Sequence, residues 1–222
     1  MVHDTMRAMR IIIAGGHGKI ALRLAERLRS GAVGLVRNPA HVADVEATGA
    51  EAVVCDLEKA SVDEVAEIVR GADAVVFAAG AGPGSGAARK DTVDRAASVL
   101  LADAAERAGV GRFIQISSMG AGKPPAPDRD EVWAAYIDAK TAAEEDLRRR
   151  DGLAWTILRP GRLTDEPGTG LVLLAPEVPP GPVPRDDVAE VIVALLNSPG
   201  TAGRTLELVS GETPIRSLAG RE

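Results

Sequence analysis

The chain has few aromatic residues and almost no cysteine. Its 222 residues include two tryptophans, two phenylalanines and one tyrosine, and Cys55 is the single cysteine. One thiol can form no intrachain disulfide and no cysteine cluster for a metal. The core must therefore be built from Ala, Val, Leu and Ile, a mixture of helix-favouring and strand-favouring residues that suits a layered α/β domain. The lack of disulfides favours a cytoplasmic setting.

An excess of positive charge and a long apolar run are also absent. There are 26 Lys and Arg against 32 Asp and Glu, with a net charge of −6. This balance offers no broad basic surface to nucleic acid or an anionic membrane, so neither is expected as a partner. The run Ile11–Gly16 is too short for a signal or membrane segment. His3, His17 and His41 lack metal-ligand spacing, so no metal site is predicted. The sequence leaves the oligomeric state open.

From residue 10 onward, short apolar runs alternate with longer amphipathic stretches. This alternation predicts a Rossmann-type, doubly wound, mostly parallel sheet with helices on both faces. The length suits one domain over 1–222, with 1–9 flexible and 162–222 adding a small substrate-side region. The predicted strands are Arg10–Ala14, Gly34–Val36, Ala52–Cys55, Ala74–Ala78, Arg112–Ile116, Ala154–Leu158 and Thr205–Val209. The predicted helices are Lys19–Leu28, His41–Thr48, Val62–Val69, Thr92–Ala108, Trp133–Arg149 and Asp187–Asn197.

Several residues predict where helices begin and end. Asn38 and Ser61 are predicted N-caps, the first followed by proline and the second by a glutamate that completes a capping box. Gly109 and Gly152 are predicted to end helices in the left-handed conformation. The stretch Glu166–Arg185 shows no regular pattern and is predicted to be a loop beside the site.

The first predicted strand runs into a glycine-rich turn at residues 15–18 and then into a helix. Gly15 suits a tight turn, Gly18 lets backbone amides approach a pyrophosphate, and Ala21 permits close helix packing. The helix N-terminus adds partial positive charge. A plain strand-to-helix turn is the alternative, but the place of this turn at the first strand of a βαβ series favours dinucleotide binding.

The end of the second predicted strand indicates which dinucleotide is preferred. NAD-selective sites place a carboxylate there, whereas this chain has Arg37. A guanidinium suits a 2′-phosphate, so NADP(H) is predicted over NAD(H), with an exposed strand-end arginine as the alternative. After the third strand, Asp56 could accept a hydrogen bond from adenine or cap a turn. The small residues 78–82 would let a flat cofactor lie against the backbone.

Tyr136 and Lys140 stand four residues apart in a predicted helix, which places them on one helical face. A nearby ammonium lowers the pKa of a phenol, as a general acid/base for a carbonyl or alcohol requires. Ser118 ends the fifth strand and could donate to the same substrate oxygen. The alternatives are a surface Tyr–Lys pair and a serine that satisfies turn amides.

Taken together, these features resemble the atypical short-chain dehydrogenases/reductases, in particular the compact bacterial NAD(P)H-binding group related to NAD-dependent epimerases/dehydratases. The resemblance extends from Arg10 to about Ile215 and includes the motifs at 15–21, Leu163–Gly170 and Arg185–Ala189. It implies a pyrophosphate site that includes His17, Lys19 and Ile20, and a nicotinamide pocket lined by residues 160–163. The full predicted cofactor-binding set is Gly15, Gly16, His17, Gly18, Lys19, Ile20, Arg37, Asp56, Leu57, Ala78, Ala79, Gly80, Ala81, Lys140, Pro160, Gly161, Arg162 and Leu163.

The leading functional hypothesis is an NADP(H)-dependent oxidoreductase that moves hydride to or from a small carbonyl or alcohol. Tyr136 would be the general acid/base, Lys140 its modulator and Ser118 the anchor of the substrate oxygen. A non-catalytic, redox-sensing NADP(H)-binding regulator and an epimerase/dehydratase-like enzyme are the alternatives. The chain after Gly161 is too short for the large substrate domain of extended relatives, so a nucleotide-sugar substrate is not expected.

Overall fold

A nine-stranded sheet with helices on both faces forms the centre of the molecule. The structure is a computed structural model that describes residues 9–82, 84–124 and 130–218. Its strands are β1 (Ile11–Ala14), β2 (Ala32–Val36), β3 (Glu51–Val54), β4 (Ala74–Phe77), β5 (Arg112–Ile116), β6 (Ala154–Pro160), β7 (Arg162–Thr164), β8 (Leu171–Ala175), β9 (Pro182–Pro184), β10 (Arg204–Ser210) and β11 (Thr213–Pro214). Its α-helices are α1 (Lys19–Leu28), α2 (Val42–Glu46), α3 (Val62–Val69), α4 (Ala87–Arg89), α5 (Ala97–Ala108), α6 (Glu131–Arg148) and α7 (Arg185–Leu196).

Shorter helical turns connect these elements. A π-helix over Lys90–Ala96 joins α4 to α5. Single 3-10 turns are found at Arg29–Gly31, Pro39–His41, Pro199–Thr201 and Ile215–Ser217. The helix predicted over Thr92–Ala108 therefore begins earlier, at Ala87, and contains a stretch of wider turns.

The strand order confirms the predicted doubly wound topology. The sheet runs β11-β8-β10-β6-β5-β4-β1-β2-β3. The strands from β10 to β3 are parallel to their neighbours, whereas β8 is antiparallel to both β10 and β11. The chain reverses its direction of winding between β1 and β4, and parallel α/β sheets bind ligands at the carboxyl ends of strands at such a switch point.

Both faces of the central strands are buried, which explains their continuous apolar sequences. In β1, Ile11 and Ile13 pack into one core with α1 and α7, while Ile12 and Ala14 pack into the other with α3 and α5. Both phenylalanines are fully buried in the second core. Aliphatic side chains fill the rest, as the composition predicted.

The predicted capping residues are largely confirmed. The Asn38 side chain accepts a hydrogen bond from the amide of Ala40 at 3.0 Å, although the helix it starts is a single 3-10 turn. Ser61 forms a complete capping box with Glu64. Gly109 ends α5 with φ of 74°.

Two sequence predictions about local structure were wrong. Gly152 does not end a helix in the left-handed conformation, because α6 finishes at Arg148 and the positive-φ glycines do not include it. The stretch Glu166–Arg185 is not wholly irregular, since β8 and β9 form within it. These strands are short, and two prolines in β9 hide its strand character in the sequence.

Replacing Gly16 by alanine should destabilise the fold, because Gly16 lies in the turn between β1 and α1 and packs against β2. An added Cβ would lie 2.8 Å from Gly34 Cα and 2.9 Å from Gly34 carbonyl carbon. This clash is with backbone, so the start of α1 must shift, at a cost of about 1–3 kcal/mol. Urea denaturation measures the loss. Gly111→Ala is the matched control, since nothing lies within 4 Å of its added Cβ. Equal midpoints for the two variants would contradict this account.

Candidate functional site

A cavity of about 340 Å³ lies at the carboxyl ends of β1 to β4, where the sheet topology predicts a ligand. It is lined by residues of the glycine turn and of the segments that follow β2, β3 and β4. The predicted cofactor residues that line it are Gly15, His17, Gly18, Arg37, Asp56, Leu57, Ala78, Ala79, Gly80 and Ala81. The predicted residues outside its lining are Gly16, Lys19, Ile20, Lys140, Pro160, Gly161, Arg162 and Leu163.

The glycine turn forms one edge of this cavity. Gly15 has φ of 77°, and a Cβ on it would lie 2.6 Å from Ala79 Cα, so only glycine fits between β1 and the segment after β4. Gly18 begins α1 without a side-chain cap. The first amides of the helix are thus left to meet an anion, and the helix dipole favours one there.

Lys19 reaches away from the cavity. Its Nζ donates to Asp165 Oδ2 at 2.6 Å, and Arg185 Nη1 donates to the other oxygen at 3.0 Å. The hydrogen bond from Lys19 keeps the pKa of Asp165 below its usual value. Lys19 therefore ties the glycine turn to the segment after β7.

Two arginines and a carboxylate stand at the rim of the cavity. Glu58 Oε2 accepts from Arg37 Nη1 at 3.0 Å and from Arg89 Nη2 at 2.7 Å. Its other oxygen accepts from Thr92 Oγ1 at 2.8 Å. Burial raises the pKa of Glu58, but the hydrogen bonds from Thr92, Arg89 and Arg37 outweigh it, and the pKa lies below the usual value.

Two histidines stack beside the same rim. The rings of His17 and His41 are 3.7 Å apart and nearly parallel, at 12°. His17 Nε2 lies 2.8 Å from Asp44 Oδ2. After β3, Asp56 Oδ1 accepts from the amide of Glu58 at 3.1 Å, so Asp56 does cap the turn there.

Lys140 forms a buried ion pair, and this pair connects the predicted catalytic residues to the cavity. Its Nζ lies 3.1 Å from Asp94 Oδ1 and donates to Ile116 O at 3.2 Å. The exposed fractions of the two charged side chains are 4% and 0%. Asp94 Oδ2 also accepts from the amide of Ala81 at 3.2 Å. One carboxylate thus joins α6 to the segment after β4 that lines the cavity.

The structure brings Lys140 close to Tyr136, as their spacing predicted. Lys140 Nζ lies 5.8 Å from the centre of the half-buried Tyr136 ring. A second ammonium, Lys90 Nζ, lies 5.4 Å from the same ring and donates to Gly82 O at 2.9 Å. Lys90 and Asp94 were missed by sequence reasoning. Both come from the π-helix, and no motif in the sequence indicates that helix.

The two serines after β5 have different surroundings. Ser117 Oγ donates to Glu144 Oε1 at 2.5 Å, and the fully buried Glu144 also binds Arg159 and Arg148. Ser117 is therefore held inside the protein. Ser118 is half-buried, and its hydroxyl donates to Met119 O at 3.3 Å. Among the described residues, no hydrogen bond joins the Ser118 hydroxyl to the Tyr136 hydroxyl.

The predicted nicotinamide segment, 160–163, runs from the end of β6 into β7. Gly161 is packed so closely that a Cβ on it would lie 2.2 Å from Gly181 O. The Arg162 amide donates to the same carbonyl at 2.9 Å. In the strand order, β5, β4 and β1 separate β6, where this segment begins, from β2, which Arg37 follows.

Comparisons with known proteins were consistent with this geometry. The sequence profile of a family described as NAD(P)H-binding matches residues 15–199. A Bacillus subtilis relative, named uncharacterized sugar epimerase YhfK, is 36% identical over 211 residues, which are 93% of this chain and 97% of that protein.

Two solved structures share the fold. One is a Bacillus halodurans protein provisionally named an NAD-dependent epimerase/dehydratase, with TM-score 0.86, 35% identity, and coverage of 95% of this chain and 98% of that one. The other is the oxidoreductase ylbE from Lactococcus lactis, with TM-score 0.82, 29% identity, and coverage of 95% and 94%. Within the described residues, none of the helices has the length and apolar character needed to cross a membrane.

Removing the Lys140 ammonium should destabilise the protein through the carboxylate it leaves behind. Lys140→Met strands the fully buried Asp94, and breaking a buried pair costs about 3–5 kcal/mol. In an Asp94→Asn background, Lys140→Met should lower the free energy of unfolding by at least about 1 kcal/mol less than it does in the wild type.

Urea denaturation of the four proteins in this cycle measures the coupling. Lys59→Met is the control, since that lysine side chain is 83% exposed beside Asp56 and should matter little. Additive losses in the cycle would show that the two groups do not interact.

Proposed function

The chain belongs to the NAD(P)H-binding family, and we propose that it is an NADP(H)-dependent oxidoreductase that moves hydride to or from a small carbonyl or alcohol. The observation that carries this proposal is the buried Lys140–Asp94 pair. It holds an ammonium beside the ring of the chain's single tyrosine and is hydrogen-bonded to the segment that lines the cavity.

The described residues fit a dinucleotide. The cavity is lined by glycine and alanine residues after β1 and β4, and it includes Gly18, the residue before the uncapped helix α1. Its volume of about 340 Å³ lies within the lower part of the range of small-molecule pockets and suits the adenosine half of the cofactor. Gly15 and Gly18 would contact the pyrophosphate, and Asp56 and Leu57 the adenine. The nicotinamide half would extend past Ala81 toward Tyr136.

In this proposal the chain's own residues handle the substrate oxygen. When bound, the reduced cofactor supplies hydride to the carbonyl carbon. Tyr136 gives its hydroxyl proton to the carbonyl oxygen, and Ser118 donates a hydrogen bond to the same oxygen. The ammonium groups of Lys140 and Lys90, both near the Tyr136 ring, stabilise the negative charge left on the phenol. Oxidation of an alcohol runs the same steps in reverse.

The preference for NADP(H) rests on Arg37. It stands at the cavity rim after β2, where its planar guanidinium suits a phosphate. Its side chain is 53% exposed, so a ligand can reach it. Two observations support the choice: the position has no carboxylate of its own, and a second arginine, Arg89, stands at the same rim.

An epimerase or dehydratase is the second candidate, because the Bacillus relatives carry such names. The same residues would serve this chemistry, since it also begins with hydride transfer and proton exchange at an alcohol. The two functions differ in turnover: an epimerase returns the hydride, so it consumes no cofactor.

Tyr136→Phe should abolish turnover while leaving cofactor binding intact. Without the phenol, proton transfer is lost, and general acid/base catalysis contributes about 10²–10⁴-fold. The loss of NADPH absorbance with a panel of aldehydes, ketones and quinones measures the rate. NADPH affinity, determined by fluorescence titration, is the control and should stay within about twofold. Equal rates for both proteins would remove the main support for the oxidoreductase.

Arg37→Ala should lower the ratio of NADPH affinity to NADH affinity. The lost charge-assisted hydrogen bonds correspond to about tenfold or more in NADPH binding, and NADH has no 2′-phosphate to lose them. Isothermal titration with both cofactors gives the ratio. Arg70→Ala, which removes an exposed arginine paired with Glu67, is the matched control. An unchanged ratio would contradict the NADP(H) preference.

A further inference from the structure

The arginine–glutamate cluster at the cavity rim is built from three separate parts of the chain. Arg37 follows β2, Glu58 follows β3, and Arg89 ends α4. All three line the cavity. Because β2 and β3 are adjacent and α4 follows β4, the sheet topology alone brings these side chains to one place.

One oxygen of Glu58 holds both guanidinium groups. Oε2 accepts hydrogen bonds from Arg37 at 3.0 Å and from Arg89 at 2.7 Å, so two guanidinium groups contact the same carboxylate oxygen. A phosphate oxygen accepts hydrogen bonds from arginine with the same geometry. The carboxylate thus sits where an anionic ligand of the two arginines would place an oxygen.

The carboxylate of the cluster is less exposed to solvent than the two arginines. Glu58 is 23% exposed, whereas Arg89 is 41% and Arg37 is 53% exposed. The carboxylate is therefore the more buried member, and both arginines keep surface available to a ligand from the cavity. Thr92 Oγ1 donates a hydrogen bond to Oε1, the second oxygen of Glu58, at 2.8 Å, and this bond helps to hold the carboxylate in place.

The two arginines of the cluster attract an anion, whereas the carboxylate of Glu58 repels it. Two guanidinium groups and one carboxylate leave one net positive charge. The hydrogen bonds that lower the pKa of Glu58 keep it ionised at neutral pH. A 2′-phosphate must therefore compete with Glu58 for the hydrogen bonds of the two arginines, and the carboxylate repels it. A 2′-hydroxyl, in contrast, can donate a hydrogen bond to Glu58.

We propose that Arg89 is a second ligand of the cofactor 2′-phosphate and that Glu58 sets the discrimination between NADP(H) and NAD(H). Glu58 holds the two arginines together when no phosphate is bound, and it accepts the 2′-hydroxyl when NAD(H) binds. The carboxylate missing after β2 thus comes from the turn after β3. This inference rests on the proposed NADP(H) function and names the residues that tune it.

Two small probes test this subsite without any substrate. Adenosine 2′,5′-bisphosphate carries the 2′-phosphate, and adenosine 5′-monophosphate carries a 2′-hydroxyl instead. Isothermal titration at low ionic strength gives both affinities, since phosphate contacts weaken with salt. The proteins are the wild type, Arg89→Ala and Glu58→Gln. The matched controls are Arg70→Ala and Glu67→Gln, which alter an exposed arginine–glutamate pair elsewhere.

We expect Arg89→Ala to weaken binding of the bisphosphate by about tenfold or more and to leave the monophosphate within about twofold. We expect Glu58→Gln to tighten the bisphosphate and weaken the monophosphate, raising the ratio of the two affinities by about tenfold or more. Both controls should leave the ratio unchanged.

The inference is overturned if Arg89→Ala weakens both probes alike, because Arg89 then only shapes the cavity. An unchanged ratio in Glu58→Gln overturns it as well. Arg89→Lys and Glu58→Ala provide second variants should either of the first pair fold poorly, as monitored by circular dichroism.

Failure of this inference can be told from failure of the proposed cofactor preference. If the wild type binds the two probes equally and Arg37→Ala changes neither, the NADP(H) preference itself is wrong. If the ratio depends on Arg37 but not on Arg89 or Glu58, the preference stands and only this inference is lost.

Discussion

The organisation of the candidate active site depends on one buried ion pair, Lys140 with Asp94. Charges this deeply buried are unfavourable unless they are paired and hydrogen-bonded, so each side chain fixes the position of the other. Asp94 also binds the Ala81 amide, and Lys140 binds the carbonyl at the end of β5. Four parts of the chain are thereby held together: α6, the π-helix, the segment after β4 and the end of β5. The ring of Tyr136 lies beside this arrangement, 5.8 Å from Lys140 Nζ.

Most of the fold could be predicted from the sequence because its central strands are apolar on both faces, the glycine turn precedes α1, and Ser61 caps α3. The predicted helix bounds of α1 and α3 agree with the structure at both ends. The C-terminal part was harder to predict, because β8 is antiparallel to both of its neighbours and β9 is short and contains two prolines. Neither strand has the alternation of apolar residues or the length by which a strand is predicted from sequence.

The candidate site was predictable where chemistry and spacing coincide on one element. Tyr136 and Lys140 are one helical turn apart, and the glycine turn follows directly from β1. The residues that complete the site come from distant positions in the chain, since Asp94, Lys90 and Glu58 reach it only through the sheet topology. A π-helix widens each turn and so moves side chains off the faces that α-helical spacing predicts. No single-sequence argument could have placed them.

The contact between Tyr136 and Trp133 gives the protein an optical property. The two rings lie 5.4 Å apart at an angle of 45°, and Trp133 is 36% exposed. Light absorbed by the phenol passes readily to an indole at this distance. Trp155 is the second indole in the chain, and no second phenol contributes. Energy transfer to Trp133 therefore leaves the single tyrosine little emission of its own, and the fluorescence of the protein comes from its two indoles.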